Sequence, residues 1–220
     1  MISAWALLLV VDVNAAHVGQ DQFGRFPFVR DGVVTGGGTS WGLVRPAPAG
    51  GYERVCEESF GRVVFFALDQ GERGALLGGT DGLFRSADGG CTYTLIDNAL
   101  AGEFVDATAV DANDPAHLII ATSTPGADNG IWESRDFGDT FTQLRAPVAA
   151  SFFDIAVSAD GSHVAVSGSD NNGESVLLVS KDAGASFFDV GSVVVDYPVV
   201  HALLFDGTTL VVGGLQGNTQ

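Results

Sequence analysis

The chain is 220 residues long, enough for one domain with a substantial core, and its 46% apolar content with 15 Phe excludes global disorder. Acidic residues outnumber basic ones 27 to 10, a net charge of −17, which repels phosphate backbones and anionic lipid and so excludes nucleic acid and anionic membranes as partners. Gly contributes 30 residues against 7 Pro. The glycines fall between apolar runs, so the pattern predicts many short strands joined by tight turns, and no helical 3.6-residue periodicity of useful length is present.

Met1 to Ala16 carries an apolar run, Ala4 to Val11, followed by Asn14-Ala15-Ala16, the pattern of a secretory signal cleaved near Ala16. No Lys or Arg precedes the run and Asp12 follows it closely, so a first β-strand over Ala4 to Val13 stands as the alternative. The run is too short to cross a bilayer. With residues 1–16 read as a signal peptide, residues 17–220 form the folded part. The protein is then expected to be secreted or held in the periplasm or cell envelope, without membrane insertion. Two cysteines, Cys56 and Cys91, fit an exported protein with one disulfide, or two buried free thiols.

Three octapeptides recur further along: Ser86-Ala87-Asp88-Gly89-Gly90-Cys91-Thr92-Tyr93, Ser134-Arg135-Asp136-Phe137-Gly138-Asp139-Thr140-Phe141 and Ser180-Lys181-Asp182-Ala183-Gly184-Ala185-Ser186-Phe187. The shared pattern is Ser-x-Asp-x-Gly-x-Thr/Ser-aromatic, and the copies start 48 and 46 residues apart, the spacing of a repeated supersecondary unit. Just before each Ser lie adjacent apolar pairs, Leu83-Phe84, Ile131-Trp132 and Leu177-Leu178, which predict strands buried on both faces. Two more strand-like runs precede each of the last two copies: Phe104 to Val110 and Leu118 to Ser123, then Phe152 to Val157 and Val164 to Ser167. The connectors Asp111 to Pro115 and Ser158 to Ser162 have hairpin-turn compositions. Each unit therefore reads as four antiparallel strands with the octapeptide at the third hairpin.

The residue types give the octapeptide a structural chemistry. The carboxylates of Asp88, Asp136 and Asp182 can accept hydrogen bonds from backbone N–H groups of their own turns. Gly90, Gly138 and Gly184 can supply the residue with positive φ. The hydroxyl in the seventh position is expected to tie the turn to its neighbour, and the aromatic in the eighth to bury area between adjacent units. Ser86, Ser134 and Ser180 complete the set.

The pattern resembles the Asp-box, or BNR repeat, of sialidases and other β-propellers, over about residues 26–216. In blade pattern the chain is also similar to photosystem II assembly factor-like and sortilin-like box-repeat proteins. The resemblance implies an all-β propeller of four-stranded antiparallel blades with the box between the third and fourth strands. A degenerate blade precedes the three: Gly37 to Arg45 parallels Gly78 to Arg85, but its box, Pro46 to Gly51, has lost the Ser and Asp. A fifth unit offers Val199 to Phe205 and Leu210 to Gly214. The count is about four blades plus two strands. Either Ala4 to Val13 closes a five-bladed ring or the chain is part of a larger propeller, and the count favours the latter.

In the sialidases an Arg-Ile-Pro motif begins an arginine triad, and a Tyr/Glu pair with a further acid performs the chemistry. Arg25-Phe26-Pro27 is a poor echo of that motif, and a charge of −17 suits an anionic sugar badly. The resemblance places the functional face on the loops between blades and between second and third strands, opposite the boxes. Those loops hold Asp128, Asn129, Asp170, Asn172, Glu174 and Tyr197, together with Glu103 and Asp196. His17, His117, His163 and His201 lack metal-ligand spacing, and His117 and His163 each begin a unit's second strand, which suggests a repeated structural role. No phosphate-binding loop or nucleophile elbow occurs, and no cofactor is expected. The expected function is a non-catalytic glycan- or protein-binding scaffold, with a glycoside hydrolase of the sialidase-like superfamily as the alternative.

Overall fold

The computed structural model describes residues 24–30, 33–39, 42–47, 49–56, 64–69, 74–88, 92–111, 113–194 and 199–215. The expected signal segment, Gly90, Cys91, Asp196 and Tyr197 lie outside the described residues, as does the side chain of Cys56, and with them the Cys56–Cys91 pairing.

Short apolar runs separated by turn residues form five antiparallel sheets, each from strands consecutive in the chain. The first comprises β1 (Gly24–Arg30), β2 (Val33–Thr39), β3 (Gly42–Pro46) and β4 (Tyr52–Cys56). The second holds β5 (Val64–Asp69), β6 (Ala75–Gly79), β7 (Gly82–Ser86) and β8 (Thr94–Leu95). The third holds β9 (Val105–Asp111), β10 (Asp114–Thr122), β11 (Asn129–Ser134) and β12 (Thr142–Val148). The fourth holds β13 (Ala150–Val157), β14 (Val164–Asp170), β15 (Ser175–Ser180) and β16 (Phe188–Asp189). A 3-10 turn, Gly191–Val194, leads towards the fifth sheet, β17 (Val199–Asp206) and β18 (Thr209–Leu215). The strand pattern is the expected one, and the sequence-predicted runs differ from the observed strands by at most four residues at their ends.

Successive sheets meet along their first strands, β1 on β5, β5 on β9, β9 on β13 and β13 on β17, so the first strand of each sheet is innermost. The core lies between sheets rather than within one. Leu83 and Leu100 of the second unit pack with Val105 and Ile120 of the third. Ala107, Ile119 and Ile131 pack with Phe152, Ile155, Val166 and Leu178 of the fourth. Leu177 and Val194 meet Val200 of the fifth. Neighbouring residues such as Ile119 and Ile120, or Leu177 and Leu178, are both buried because each face of the sheet meets another sheet.

The inner strands share a feature that the sequence pattern did not announce. Near the start of each, the register slips by one residue against the second strand. Val64 and Phe66 face Gly79 and Gly78; Val105 and Ala107 face Thr122 and Ala121; Phe152 and Asp154 face Gly168 and Ser167; Val200 and Ala202 face Gly214 and Gly213. In β1, Gly24 and Phe26 face Thr39 and Gly38. The extra residues are Arg25, Phe65, Asp106, Phe153 and His201, one β-bulge per sheet at one equivalent position. Small partners accommodate the bulge. A Cβ at Gly168 would lie 2.2 Å from the carbonyl oxygen of Ser151, and one at Gly214 would lie 2.5 Å from that of Val199.

Phe152 is fully buried between the third and fourth sheets. Phe152→Ala is expected to cost about 3–5 kcal/mol in urea unfolding, whereas Phe188→Ala, at a side chain 60% exposed, should change stability by less than about 0.5 kcal/mol.

Candidate binding face

The three octapeptides close hairpins by one hydrogen-bond set. Ser134 Oγ donates to Asp136 Oδ1 at 2.8 Å and accepts from the Gly138 amide at 2.8 Å. Asp136 then accepts from the Thr140 amide at 2.8 Å and from its hydroxyl at 2.6 Å. Ser180, Asp182, Gly184 and Ser186 repeat this at 2.7, 2.8, 2.8 and 2.6 Å. In the second unit, Ser86 donates to Asp88 at 2.8 Å, and Asp88 accepts from the amide and hydroxyl of Thr92 at 2.9 and 2.7 Å. The seventh-position hydroxyl thus closes its own hairpin, which corrects the expectation that it reaches the neighbouring unit. A serine hydroxyl and a short carboxylate in one turn saturate each other, and a backbone amide with a hydroxyl on the same residue completes the carboxylate's shell.

Gly138 and Gly184 have φ of 86° and 91°, as their place in the turn required, but the preceding residues are left-handed too: Phe137 at 60° and Ala183 at 56°. The turn needs two consecutive residues with positive φ, of which only the second is glycine in all three copies. Contact with the neighbouring unit comes from elsewhere. The Arg85 guanidinium donates to the Phe137 carbonyl and to Asp139, and lies over the Phe137 ring. Asn98 Nδ2 donates to the Gly138 carbonyl at 2.9 Å. Of the eighth-position aromatics, Phe141 packs against the cluster between the second and third sheets, and Phe187 against that between the third and fourth, as expected.

At the opposite end lie the loops between second and third strands. Asn129 is buried, and it staples its loop: its Oδ1 accepts from the Thr124 amide at 2.6 Å, and its Nδ2 donates to the carbonyls of Thr124, Ala127 and, in the next sheet, Ala150. The Thr124 hydroxyl donates to Glu103 at 2.6 Å, drawing that carboxylate into the same loop. Asp170 accepts from the amides of Asn172 and Glu174, both at 2.8 Å, and from Asn172 Nδ2 at 3.1 Å. The Glu174 amide does most to hold the Asp170 carboxyl below the ordinary carboxylate range. Asp128 and Glu174 have exposed side chains. The structure therefore brings Asp170, Asn172 and Glu174 together in one hairpin and places Asp128 and Asn129 on the loop of the preceding unit.

The histidines are held in different ways. Buried His117 lies between two carboxylates, Nδ1 3.1 Å from Asp111 and Nε2 2.8 Å from Glu133, and Glu133 also accepts from Arg135. His163 meets the Ser162 hydroxyl at 2.7 Å. His201, exposed on β17, stacks at a tilt on Phe153 of β13 with ring centroids 5.4 Å apart. Phe153 and His201 are both bulge residues, and sequence reasoning missed the bulges. The available signal was the small residues of the second strands, Gly78-Gly79, Gly168 and Gly213-Gly214, which mark where the inner strand needs room.

No protein-family model matches the sequence, and no curated protein does. Solved structures do match. The GH74 xyloglucanase of Xanthomonas campestris superposes with a TM-score of 0.60 at 16% identity, over 82% of this chain and 32% of that protein. The extracellular domain of BT4673 from B. thetaiotaomicron gives 0.60 at 13% identity, over 83% of this chain and 25% of that one. The fold is a β-propeller. Each four-stranded sheet is a blade, and the second, third and fourth carry their octapeptide hairpin on one face of the propeller and their second-to-third-strand loop on the other. A third match, the gluconolactonase XC5397 of Xanthomonas campestris, has a TM-score of 0.52 at 8% identity, over 81% of this chain and 65% of that one. The chain spans about a third or less of the xyloglucanase and of the BT4673 domain, and at these identities the likeness extends to the fold alone.

The carboxyl groups that close turns set the acid response. At Asp182 the Ser186 hydroxyl leads in pulling the carboxyl below its usual 3.8. At Asp136 burial raises the value, but the hydrogen bonds from Thr140 and Ser134 outweigh it. Both pKa values are lower folded than unfolded, so the unfolded chain takes up protons first as pH falls. The stabilisation is complete above about pH 5 and is lost as pH drops through 3.8 towards the folded values. Urea midpoints measured from pH 6 to pH 3 should fall accordingly, and Asp136→Asn with Asp182→Asn should start lower at pH 6 and show a shallower acid slope.

Proposed function

We propose that this propeller is built of Asp-box blades of the sialidase-like kind, is exported to the cell envelope or beyond, and acts as a non-catalytic module that binds a glycan or protein partner through the face opposite its boxes. The observation that carries the reading is the use made of polar residues on that face. Asn129, Glu103, Asp170 and Asn172 hold their own loops, which leaves a pre-formed rim with Asp128 and Glu174 at its surface. A rim ordered in advance lowers the entropic cost of binding and suits recognition. The thrice-repeated Ser–Asp–hydroxyl set supports the Asp-box assignment, and the apolar Ala4 to Val11 run supports export.

Asp170, whose lone pairs are filled by its own hairpin, is a poor general acid or base, and the exposed Asp128 and Glu174 lie on loops of different blades, whereas a glycosidase needs two carboxyl groups that face one scissile bond. Fluorogenic sialosides and neutral aryl glycosides should therefore show no turnover above buffer. Turnover that disappears in Asp128→Asn or Glu174→Gln would overturn the reading in favour of a glycoside hydrolase.

A further inference from the structure

The octapeptide end of the third blade holds a buried charge cluster that partner binding on the opposite face does not use. His117 stands at the start of β10, where the pairing with β9 jumps from Asp114–Asp111 to Leu118–Val110, and this irregular stretch turns its ring inward. Its Nδ1 lies 3.1 Å from Asp111 Oδ2 and its Nε2 2.8 Å from Glu133 Oε1. Glu133, on β11, also accepts from Arg135, the second residue of the octapeptide. The imidazole is 5% exposed and each carboxylate 15%. The other charged groups nearby are engaged in their own turns. Asp114 accepts from the Ala116 amide in the same connector, and Asp160 and His163 of the fourth blade are bonded to Ser158 and Ser162 within their hairpin.

A neutral imidazole has one N–H and one bare nitrogen, so between two ionised carboxylates it can serve only one of them. The bare nitrogen would then meet a carboxylate lone pair to lone pair, shielded from water, and the cluster would carry one uncompensated negative charge. With both nitrogens protonated, the imidazolium and Arg135 together balance Asp111 and Glu133. Asp111 is ionised: the Asn113 amide does most to hold its carboxyl below the ordinary range, against the opposing effect of burial, and the bond from His117 adds to it. Asp111 is also where the third blade meets the fourth. Asn113, whose amide donates to Asp111 Oδ1 at 2.8 Å, donates from Nδ2 to the Ala159 carbonyl of the next blade at 2.8 Å. A Cβ at Gly161 of that hairpin would lie 3.0 Å from Asp111 Oδ2. We infer that His117 is a proton-operated clasp between the third and fourth blades: as an imidazolium it fixes Asp111 and the connector docked on the Ser158–Ser162 hairpin, and on losing a proton it releases Asp111, the more distant partner, and loosens that joint. The folded chain then keeps a proton that the unfolded chain gives up as pH rises past about 6.5, the ordinary histidine value. The stabilisation is full below that pH and is lost at higher pH, as the folded imidazolium gives up its own proton. Its sign is opposite to that of the octapeptide carboxylates, which lose their contribution in acid.

Urea unfolding between pH 6 and pH 8, with NMR of the imidazole nitrogens, tests the clasp. At pH 6 both ring nitrogens of His117 should carry a proton. Glu133→Gln offers an amide that meets Nε2 without a second proton, so it should lose the pH response while keeping the shape of the site. Between pH 6 and pH 8 the unfolding constant at fixed urea should rise roughly tenfold more in wild type than in Glu133→Gln, a comparison in which the other histidines cancel. Over the same range, protection of the Asn113 amide against hydrogen exchange should fall in wild type relative to that of the core residue Ile120. A bare ring nitrogen on His117 at pH 6, or an equal rise in the two proteins, would sink the clasp. Equal loss of protection at Asn113 and Ile120 would remove it from the joint. Should Glu133→Gln fail to fold, the His117 nitrogen signals and the Asn113 protection decide alone.

Discussion

Everything in this fold depends on sheets that are apolar on both faces. A four-stranded sheet with Ile119 and Ile120, or Leu177 and Leu178, pointing in opposite directions cannot cover itself. It must be stacked between two others, and twisted sheets stacked face to face fan about their inner strands. The clusters joining Leu83 to Val105, Ile131 to Phe152 and Leu177 to Val200 are the result: each blade's core residues are half of an interface whose other half belongs to the next. Stability is then a chain of neighbour contacts rather than the property of one central core.

Given that stacking, each blade still needs its outer strand returned in register, and in the second, third and fourth blades the octapeptide does this. Its Ser–Asp–Thr bonds are local, so they fix the hairpin whatever the neighbour does. The docking of hairpin to neighbour is carried by residues outside the repeated pattern, Arg85 and Asn98, which reach the carbonyls of Phe137 and Gly138. A left-handed turn exposes its carbonyls outward, and a guanidinium or amide from the adjacent blade is well suited to take them up. The Ser, Asp, Gly and hydroxyl of the repeat therefore encode the turn, while its aromatic and residues outside it such as Arg85 and Asn98 encode the joint.

That division explains what could be read in the sequence. Strands, hairpins and the turning role of Gly138 and Gly184 were legible because each is set by residues a few positions apart. The pairing of Phe137 with Gly138 as two left-handed residues was not, because a phenylalanine carries no local mark of positive φ. The seventh-position hydroxyl was placed on the wrong partner, since Thr140 could serve its own carboxylate or a neighbour and only geometry separates the two. The bulges were least legible of all. A register slip belongs to two strands jointly, for example Phe152 to Asp154 against Ser167 and Gly168, and the inner strand alone shows only a run of apolar residues. On the loop face the burial of Asn129 was not legible either, because it depends on Ala150, a residue of the following blade.

The acidity follows from the same economy of short turns. Asp88, Asp111, Asp136, Asp160, Asp170 and Asp182 each accept hydrogen bonds from amides or hydroxyls within six residues. Asp is chosen there because its short carboxylate reaches back to the backbone, and it stays charged because those donors favour the ionised form. A propeller has many such turns on both faces, so a large negative charge accumulates turn by turn, and among the described residues no cluster of His, Cys, Asp and Glu is placed to hold a metal ion. A net charge of −17 repels anionic partners.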